Sequence, residues 1–158
     1  MASVLFVCLG NICRSPAAEG ILRHMVKEEP RLNHVHIESC GMGRWHMGQL
    51  PDSRIREAIK ERGIFLTSKA QSFKPEFLDR FDYILAADRE VLADLMRYAK
   101  KPEHQAKIHL MTHFSSAYLE QEVPDPYYRG QNAFELVLDM LEDSCRGLMT
   151  DLLKRIEI

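Results

Sequence analysis

Short unbroken apolar runs alternate along the chain with segments in which apolar residues recur at helical spacing. This pattern predicts buried strands that alternate with amphipathic helices. The run from Val4 to Val7 contains no polar residue and ends at Cys8, which predicts a strand buried on both faces of a parallel sheet. Over 17–27 the apolar positions recur every three or four residues, which predicts a helix with one buried face. Alternation of this kind favours a sheet covered by helices on both sides.

Later segments repeat the order of strand and helix. The sequence predicts strands at 35–39, 81–87 and 107–111, helices at 51–62 and after Asp88, an irregular segment over 112–132, and a final helix that extends to Ile156. Because right-handed crossovers join parallel strands, we expect an α/β fold with a single domain over 1–158. It should be a three-layer sandwich with a four-stranded parallel sheet, in which ligands bind beyond the carboxyl ends of the strands.

Composition narrows the function classes. The chain has 158 residues and a formal net charge of −2, without the basic excess on which many nucleic-acid binders depend. We find no apolar run of the ~20 residues that cross a bilayer and no signal-peptide pattern. The four cysteines are too few for a disulfide scaffold, which favours a reducing cytoplasm. We expect no nucleic-acid or membrane partner, no metal, no cofactor, and a monomer or weak dimer.

The segment from Cys8 to Pro16 holds the residue types of an anion-binding loop. Gly10 and Asn11 tolerate the positive φ angles that curl a loop, and Ser15 is expected to be the N-cap of a helix that begins at Pro16. Inward-facing N–H groups of such a loop form an anion nest. The helix N-terminus adds partial positive charge.

Arg14 completes this cradle, which then contains its own nucleophile. The planar guanidinium can bind two phosphate oxygens, and the positive field favours the Cys8 thiolate. The loop residues expected to bind phosphate with Arg14 are Leu9, Gly10, Asn11, Ile12, Cys13 and Ser15. The alternative is a structural cysteine beside a surface arginine, which does not explain why all these loop features coincide.

A second motif, Pro124-Asp125-Pro126-Tyr127-Tyr128, places a carboxyl group on a stiff segment late in the chain. Cleavage of a phosphate ester by a thiolate needs a proton for the leaving oxygen. Asp125 can supply that proton and can later activate water against the phosphocysteine. Taken alone, Asp125-Pro126 is also an ordinary turn. The need of one site for both a nucleophile and an acid favours the catalytic interpretation.

These two motifs carry a family resemblance that covers essentially the whole chain. The segment 7–16 resembles the signature of the low-molecular-weight protein tyrosine phosphatases, which also have an Asp-Pro-Tyr-Tyr segment late in the chain. The resemblance implies a metal-independent enzyme acting on phosphotyrosine-containing proteins or small aryl phosphates. It makes Cys8 the nucleophile, Arg14 the phosphate clamp and Asp125 the general acid.

A phosphotyrosine ring needs a slot with flat apolar walls, and the depth of such a slot would exclude phosphoserine. The slot residues that we expect are Leu9, Ile12, Trp45, Tyr127 and Tyr128. Trp45 matches an aromatic position in the glycine-rich loop of the family. A loop residue packed on the surface is an equally simple interpretation of Trp45.

The resemblance also assigns supporting roles. It implies that Asn11, Ser15 and Ser39 stiffen the phosphate loop through hydrogen bonds. It favours a reversible disulfide in which Cys13 traps an oxidised Cys8. The alternative for Cys13 is a small side chain packed behind the loop.

One segment departs from the family pattern. Where members often have a histidine and an arginine, this chain has Ser68 and Gln71. The histidine helps to brace the phosphate loop, and its replacement puts the stiffness of the loop in question.

Two rival functions stay open. An arsenate reductase on this fold would need thiols that 86–90 does not contain, and a non-catalytic phosphate-binding or thiol redox-sensing module would not need Asp125.

Overall fold

Within residues 2–127 and 130–156, which the computed structural model describes, four strands form one sheet. The strands are β1 (Ser3–Cys8), β2 (His36–Gly41), β3 (Tyr83–Ala86) and β4 (Ile108–Leu110). They lie in the order β2-β1-β3-β4, and every neighbouring pair is parallel. The predicted four-stranded parallel sheet is confirmed, with strand bounds that differ from the expected ones by a few residues; the order of the strands comes from the structure.

Six α-helices and two short 3-10 helices, Pro30–Leu32 and Met111–Phe114, connect and cover the strands in this part of the chain. The α-helices are α1 (Arg14–Lys27), α2 (Ser53–Lys60), α3 (Phe77–Arg80), α4 (Arg89–Tyr98), α5 (Pro102–Gln105) and α6 (Gln131–Ile156). The sequence did not predict α3 and α5, because each has 4 residues and is too short to show a helical period. None of the helices in the described ranges is long and apolar enough to span a bilayer.

The side chains of β1 alternate between two cores, one on each face of the sheet. Val4 and Phe6 pack in the core that also holds residues of α1 and α6, whereas Leu5 and Val7 pack with residues of α3 and α4. All four side chains are buried. A strand buried on both faces is typical of a parallel sheet between two helical layers, and the predicted three-layer α/β sandwich is confirmed.

The sheet places Cys8 at its carboxyl edge, where β1 lies between β2 and β3. Cys8 pairs with Gly41 at the end of β2. A Cβ added to Gly41 would lie 2.8 Å from the Leu9 carbonyl oxygen and 2.9 Å from the Asn11 nitrogen. Only glycine therefore lets β2 approach the loop that follows β1 so closely.

The start of α1 differs from the prediction. The expectation that Ser15 is the N-cap is wrong, because the helix begins at Arg14 and Cys13 occupies the N-cap position. The carbonyl of Cys13 accepts the Ala17 N–H at 3.2 Å. The Ser15 side chain instead turns towards the Cys8 sulfur, 2.9 Å away. Ser15, which resembles an N-cap in sequence, thus contacts the sulfur of the site instead of capping the helix.

Arg62 holds the N-terminal half of α6 against the end of α2, and its removal should destabilise the fold. Its guanidinium contacts Glu135 at 2.8 Å and both Asp139 and Glu142 at 3.0 Å. Burial disfavours the charged form of Arg62, but the carboxylates outweigh it and raise its pKa. We expect Arg62→Met to lower the free energy of unfolding by about 1–2 kcal/mol, since three carboxylates then repel one another.

Urea unfolding at low and high salt tests this expectation. The matched control is Arg146→Met, which removes one ion pair of 3.5 Å on α6 and should cost less than about 0.5 kcal/mol. The loss for Arg62→Met should shrink at high salt, because salt screens the repulsion among exposed carboxylates. Equal losses for the two variants would contradict a special role for Arg62.

Candidate active site

The Cys8 thiol lies at the bottom of a curled loop and is only 3% exposed. The Asn11 N–H donates to the sulfur at 3.2 Å, and the Ser15 hydroxyl lies 2.9 Å from it. The curl depends on Asn11, which takes a φ of 57°, whereas Gly10 does not take the positive φ expected of it. The N–H and the hydroxyl group in contact with the sulfur hold the Cys8 side chain at the base of the loop, in the place that a nucleophile would need.

The Asn11 side chain is held in one orientation. The N–H of Gln71 donates to Asn11 Oδ1 at 2.9 Å, so Nδ2 faces the opposite way. It donates to Ser15 Oγ at 2.7 Å and to Ser39 Oγ at 3.0 Å. Ser15 Oγ accepts this bond, and its one hydrogen has two acceptors within reach, the Cys8 sulfur at 2.9 Å and the Cys40 carbonyl at 3.4 Å. The residues expected to support the loop thus lie in one connected chain of hydrogen bonds.

Glu19, which the sequence reasoning missed, anchors the far end of this chain. Its carboxylate is 4% exposed and accepts hydrogen bonds from the hydroxyls of Ser39 and Ser68. Arg23, one turn further along α1, forms an ion pair with it at 2.9 Å, which compensates for the burial of the charge. An acidic residue among the apolar positions of α1 is the signal that could have revealed it.

Both departures from the family pattern contribute to bracing the loop. Ser68 donates to Glu19 at 3.2 Å. The Gln71 side-chain amide donates to Glu38 at 2.9 Å and to the Ser39 carbonyl at 3.0 Å. Hydrogen bonds therefore connect this segment to the loop support without a histidine or an arginine in it.

Arg14 is buried beside the thiol, and acidic neighbours determine its orientation. Nη1 donates to Asp88 at 2.7 Å and to the Val123 carbonyl at 3.0 Å, while Nη2 lies 3.8 Å from Asp125 Oδ2. Burial works against the charged guanidinium, but Cys8, Asp88 and Asp125 together raise the pKa of Arg14. The cation is therefore retained in the pocket, where an anionic ligand needs it.

Asp88 connects the arginine to the second half of the sheet. Its Oδ1 accepts the Val91 N–H at 2.9 Å and caps α4, as expected from the sequence, while its Oδ2 binds Arg14. Each carboxylate oxygen has its own task. Asp88 is thus both a helix cap and the group that orients the guanidinium.

A pocket of about 360 Å³ opens above the thiol and the guanidinium. The expected slot residues that line it are Leu9, Ile12, Trp45 and Tyr127. Trp45 is also 68% exposed. It therefore lines the pocket and lies on the surface at the same time, as each of the two interpretations from the sequence expected in part. Tyr128 lies outside the described residues. His46 lines the pocket as well; the sequence analysis missed it, although it follows Trp45 directly.

Asp125 lines the same pocket, although it is far from the loop motif in sequence. Its Oδ1 accepts the N–H of Tyr127 at 3.0 Å, and its Oδ2 is the oxygen nearest Arg14. The side chain is 43% exposed, which lets it exchange protons with water. The structure thus brings together the nucleophile, the arginine and the acid expected from two distant motifs.

The three cysteines other than Cys8 are buried thiols. All four thiols are free. Burial, with help from Asp52 and Cys8, raises the pKa of Cys13, and burial also raises the pKa values of Cys40 and Cys145. These three sulfurs are therefore held as thiols. In the described part of the chain, we find no three metal-binding side chains grouped to hold an ion.

Comparisons with known proteins agree with this geometry. A family model described as low molecular weight phosphotyrosine protein phosphatase matches residues 3–157. The low molecular weight protein-tyrosine-phosphatase of Streptomyces coelicolor is 37% identical over 98% of this chain and 95% of its own. That of Sus scrofa is 36% identical over 93% of each chain. A solved protein tyrosine phosphatase from Entamoeba histolytica has a TM-score of 0.92 at 36% identity, with 98% of both chains covered. The chain belongs to the low molecular weight phosphotyrosine protein phosphatase family.

Proposed function

We propose that this chain hydrolyses phosphotyrosine monoesters in two steps, with Cys8 as nucleophile, Arg14 as phosphate clamp and Asp125 as general acid and base. One observation carries the proposal. A buried thiol with donors aimed at its sulfur, a buried guanidinium and a half-exposed carboxyl group share one pocket. A binding module needs the first two groups only, whereas ester cleavage needs all three.

In the first step the loop holds the phosphate above Cys8. The loop N–H groups over 9–15 and Arg14 bind the equatorial oxygens and stabilise the transferring phosphoryl group. The Cys8 sulfur attacks phosphorus in line, and the bond from phosphorus to the ester oxygen breaks as the S–P bond forms. Asp125 gives its proton to the departing phenolate, so phenol leaves and phosphocysteine remains.

In the second step water releases the phosphate. The Asp125 carboxylate accepts a proton from water as the water oxygen attacks phosphorus. The S–P bond breaks and its electron pair returns to the Cys8 sulfur. The Asn11 N–H and the Ser15 hydroxyl, which already face the sulfur, stabilise the thiolate as a leaving group.

The pocket supports aryl phosphates as the substrate class, as single molecules or as phosphotyrosine in proteins. Tyr127 and Trp45 offer flat walls, and Leu9 and Ile12 offer apolar contact beside the phosphate loop.

We further propose that the enzyme works in the cytoplasm as a monomer or weak dimer. Four free thiols, one of which must stay reduced to act as nucleophile, support a reducing compartment.

Cys13 supports a redox switch on the same site. A peroxide would oxidise Cys8 to a sulfenic acid. Cys13, a thiol whose pKa is raised by burial, would lose its proton as its sulfur attacks, so that a disulfide forms and water leaves. Thiols would reduce the disulfide and restore the nucleophile. An arsenate reductase is less well supported, because it needs a relay of thiols and residues 86–90 contain none.

Hydrolysis of a phosphotyrosine peptide, with its phosphoserine counterpart as control, tests the proposed function. We expect release of phosphate from the phosphotyrosine peptide in the presence of EDTA and a thiol reductant. Acid quenching during turnover should trap phosphate on the peptide that contains Cys8, as mass spectrometry can detect. Phosphate binding without either result would favour the non-catalytic module instead.

A further inference from the structure

Arg54, the second residue of α2, lies between two aromatic rings. Its guanidinium carbon is 5.1 Å from the centre of the Tyr127 ring and 5.0 Å from the centre of the Phe134 ring. A guanidinium at these distances attracts the negative faces of aromatic rings. The contact joins three parts of the chain: α2, the segment that carries Asp125, and the first turn of α6.

Asp52 holds the guanidinium in this place. Arg54 Nε donates to Asp52 Oδ1 and Nη2 donates to Asp52 Oδ2, both at 3.1 Å. Asp52 also caps α2 by accepting the N–H of Arg54 at 2.8 Å. A guanidinium already held by two hydrogen bonds loses little conformational entropy when it stacks on an aromatic ring. The plane that contacts Tyr127 is therefore set by the helix cap.

The contact reaches the general acid through the backbone. Tyr127 is two residues after Asp125, and its N–H donates to Asp125 Oδ1 at 3.0 Å. Placing the Tyr127 ring therefore also places this N–H, which determines the direction of the carboxyl group. The remaining oxygen, Oδ2, lies 3.8 Å from Arg14 Nη2, and Asp125 lines the pocket that we propose for the ester.

We propose that Arg54 is a positioning residue, which orients the carboxyl group of Asp125 by holding the ring of Tyr127. The inference rests on the proposed function, because it concerns the efficiency of proton donation in that reaction. Arg54 does not line the pocket, and its ring contact with Tyr127 is the route that we propose; the charge of Arg54 also acts on Cys13 in the phosphate loop, so the test must separate the two effects. The contribution is part of the ~10²–10⁴-fold that general acids supply.

Arg54→Met and Arg56→Met form the matched pair of variants. Both remove one positive charge from α2 and keep a long side chain, but Arg56 contacts the Pro51 carbonyl and neither ring. For Arg54→Met we expect kcat/KM for phenyl phosphate to fall about tenfold, and less for 4-nitrophenyl phosphate, whose leaving group needs less protonation. Arg56→Met should change neither value by more than about twofold.

Phosphate binding separates positioning from a general disturbance of the site. Trp45 is the only tryptophan in the chain, and it lines the pocket, so its fluorescence can report phosphate binding. If positioning is its main role, Arg54→Met should retain the phosphate Kd within about twofold, because the hydrogen bonds of its side chain go to Asp52 and the bracing of the phosphate loop is kept. A parallel loss of phosphate affinity would overturn the proposal in favour of an electrostatic or structural role.

A double-mutant cycle with Asp125→Asn is the decisive measurement. If Arg54 acts through Asp125, then adding Arg54→Met to Asp125→Asn should change kcat/KM for phenyl phosphate by less than about twofold. An undiminished tenfold loss in the double variant overturns the inference. If the parent is active and Arg54→Met equals Arg56→Met, this inference alone fails. If the parent hydrolyses neither ester, the proposed function fails and the inference falls with it.

Discussion

Replacing Cys8 with serine should reduce hydrolysis of 4-nitrophenyl phosphate by about 10⁴-fold or more. The Asn11 N–H and the Ser15 hydroxyl group contact the sulfur and hold it at the base of the loop, where we propose that it attacks phosphorus. A hydroxyl group at the same place stays protonated at neutral pH and is a weak nucleophile. Steady-state rates in EDTA, compared with those of the parent, measure the loss.

Phosphate binding and a second thiol provide the controls for this variant. Cys8→Ser should still bind phosphate, as Trp45 fluorescence can show, because Arg14 and the loop remain. Cys145→Ala removes a buried thiol that lies in the core beside α1, and its activity should stay within about twofold of the parent. Retention of substantial turnover by Cys8→Ser would falsify the role of this thiol as nucleophile.

Replacing Asp125 with asparagine should lower kcat/KM for phenyl phosphate by about 10²–10⁴-fold. The amide keeps the shape that accepts the Tyr127 N–H at Oδ1 but has no acidic proton to give. Without the acid, the leaving group departs as an anion, so the rate should depend more steeply on the acidity of the leaving alcohol. Rates for a series of aryl phosphates measure this dependence.

A distant carboxylate serves as the control for the acid. Asp94→Asn on α4 breaks an exposed ion pair with Arg97, 2.9 Å long, and should leave the rates within about twofold. Phosphate affinity should not fall in Asp125→Asn, because removing a negative charge near Arg14 cannot weaken an anion site by repulsion. If the Asp125→Asn and Asp94→Asn variants were equally active, a binding or other non-acid role for Asp125 would be favoured.

The resting pocket already contains the charges that the reaction needs. Asp88 and the Val123 carbonyl occupy Nη1 of Arg14, and Nη2 lies on the side of Asp125. The guanidinium is therefore oriented before substrate arrives, which avoids the cost of ordering it during the reaction. The hydrogen-bond chain that begins at Glu19 orients the loop in the same way.

The local sequence was sufficient to predict the phosphate loop. Cys8, Arg14 and the residues between them are contiguous, and the chemistry of an anion loop depends on the order of neighbouring residues. The strand before the loop and the helix after it show their own periodicity, so the placement of the loop at the sheet edge could also be predicted. The cap was predicted wrongly at Ser15, since capping residues and loop-bracing residues are the same types.

The sequence analysis missed Glu19 and Arg54, whereas Asp125 could be found through its own motif. Arg54 looks like an ordinary charged helix residue in sequence, and most such residues face solvent. The only signal for Glu19 was its place among the apolar positions of α1. Glu19 acquires its role only because α1 turns it towards Ser39 and Ser68. Arg54 acquires its role because α2 and the first turn of α6 meet around Tyr127.

The sequence by itself determined the order of the strands and of the four longer helices, a candidate nucleophile in its phosphate loop, and a candidate acid on a rigid segment. These features rest on residue type and short-range spacing, which are fully present in the chain. The tertiary structure decided which carboxylates face Arg14, which groups brace the loop behind Asn11, and what holds the segment of Asp125. Those contacts join residues far apart in the chain, and only the packing of the sheet and its helices brings them within hydrogen-bonding distance.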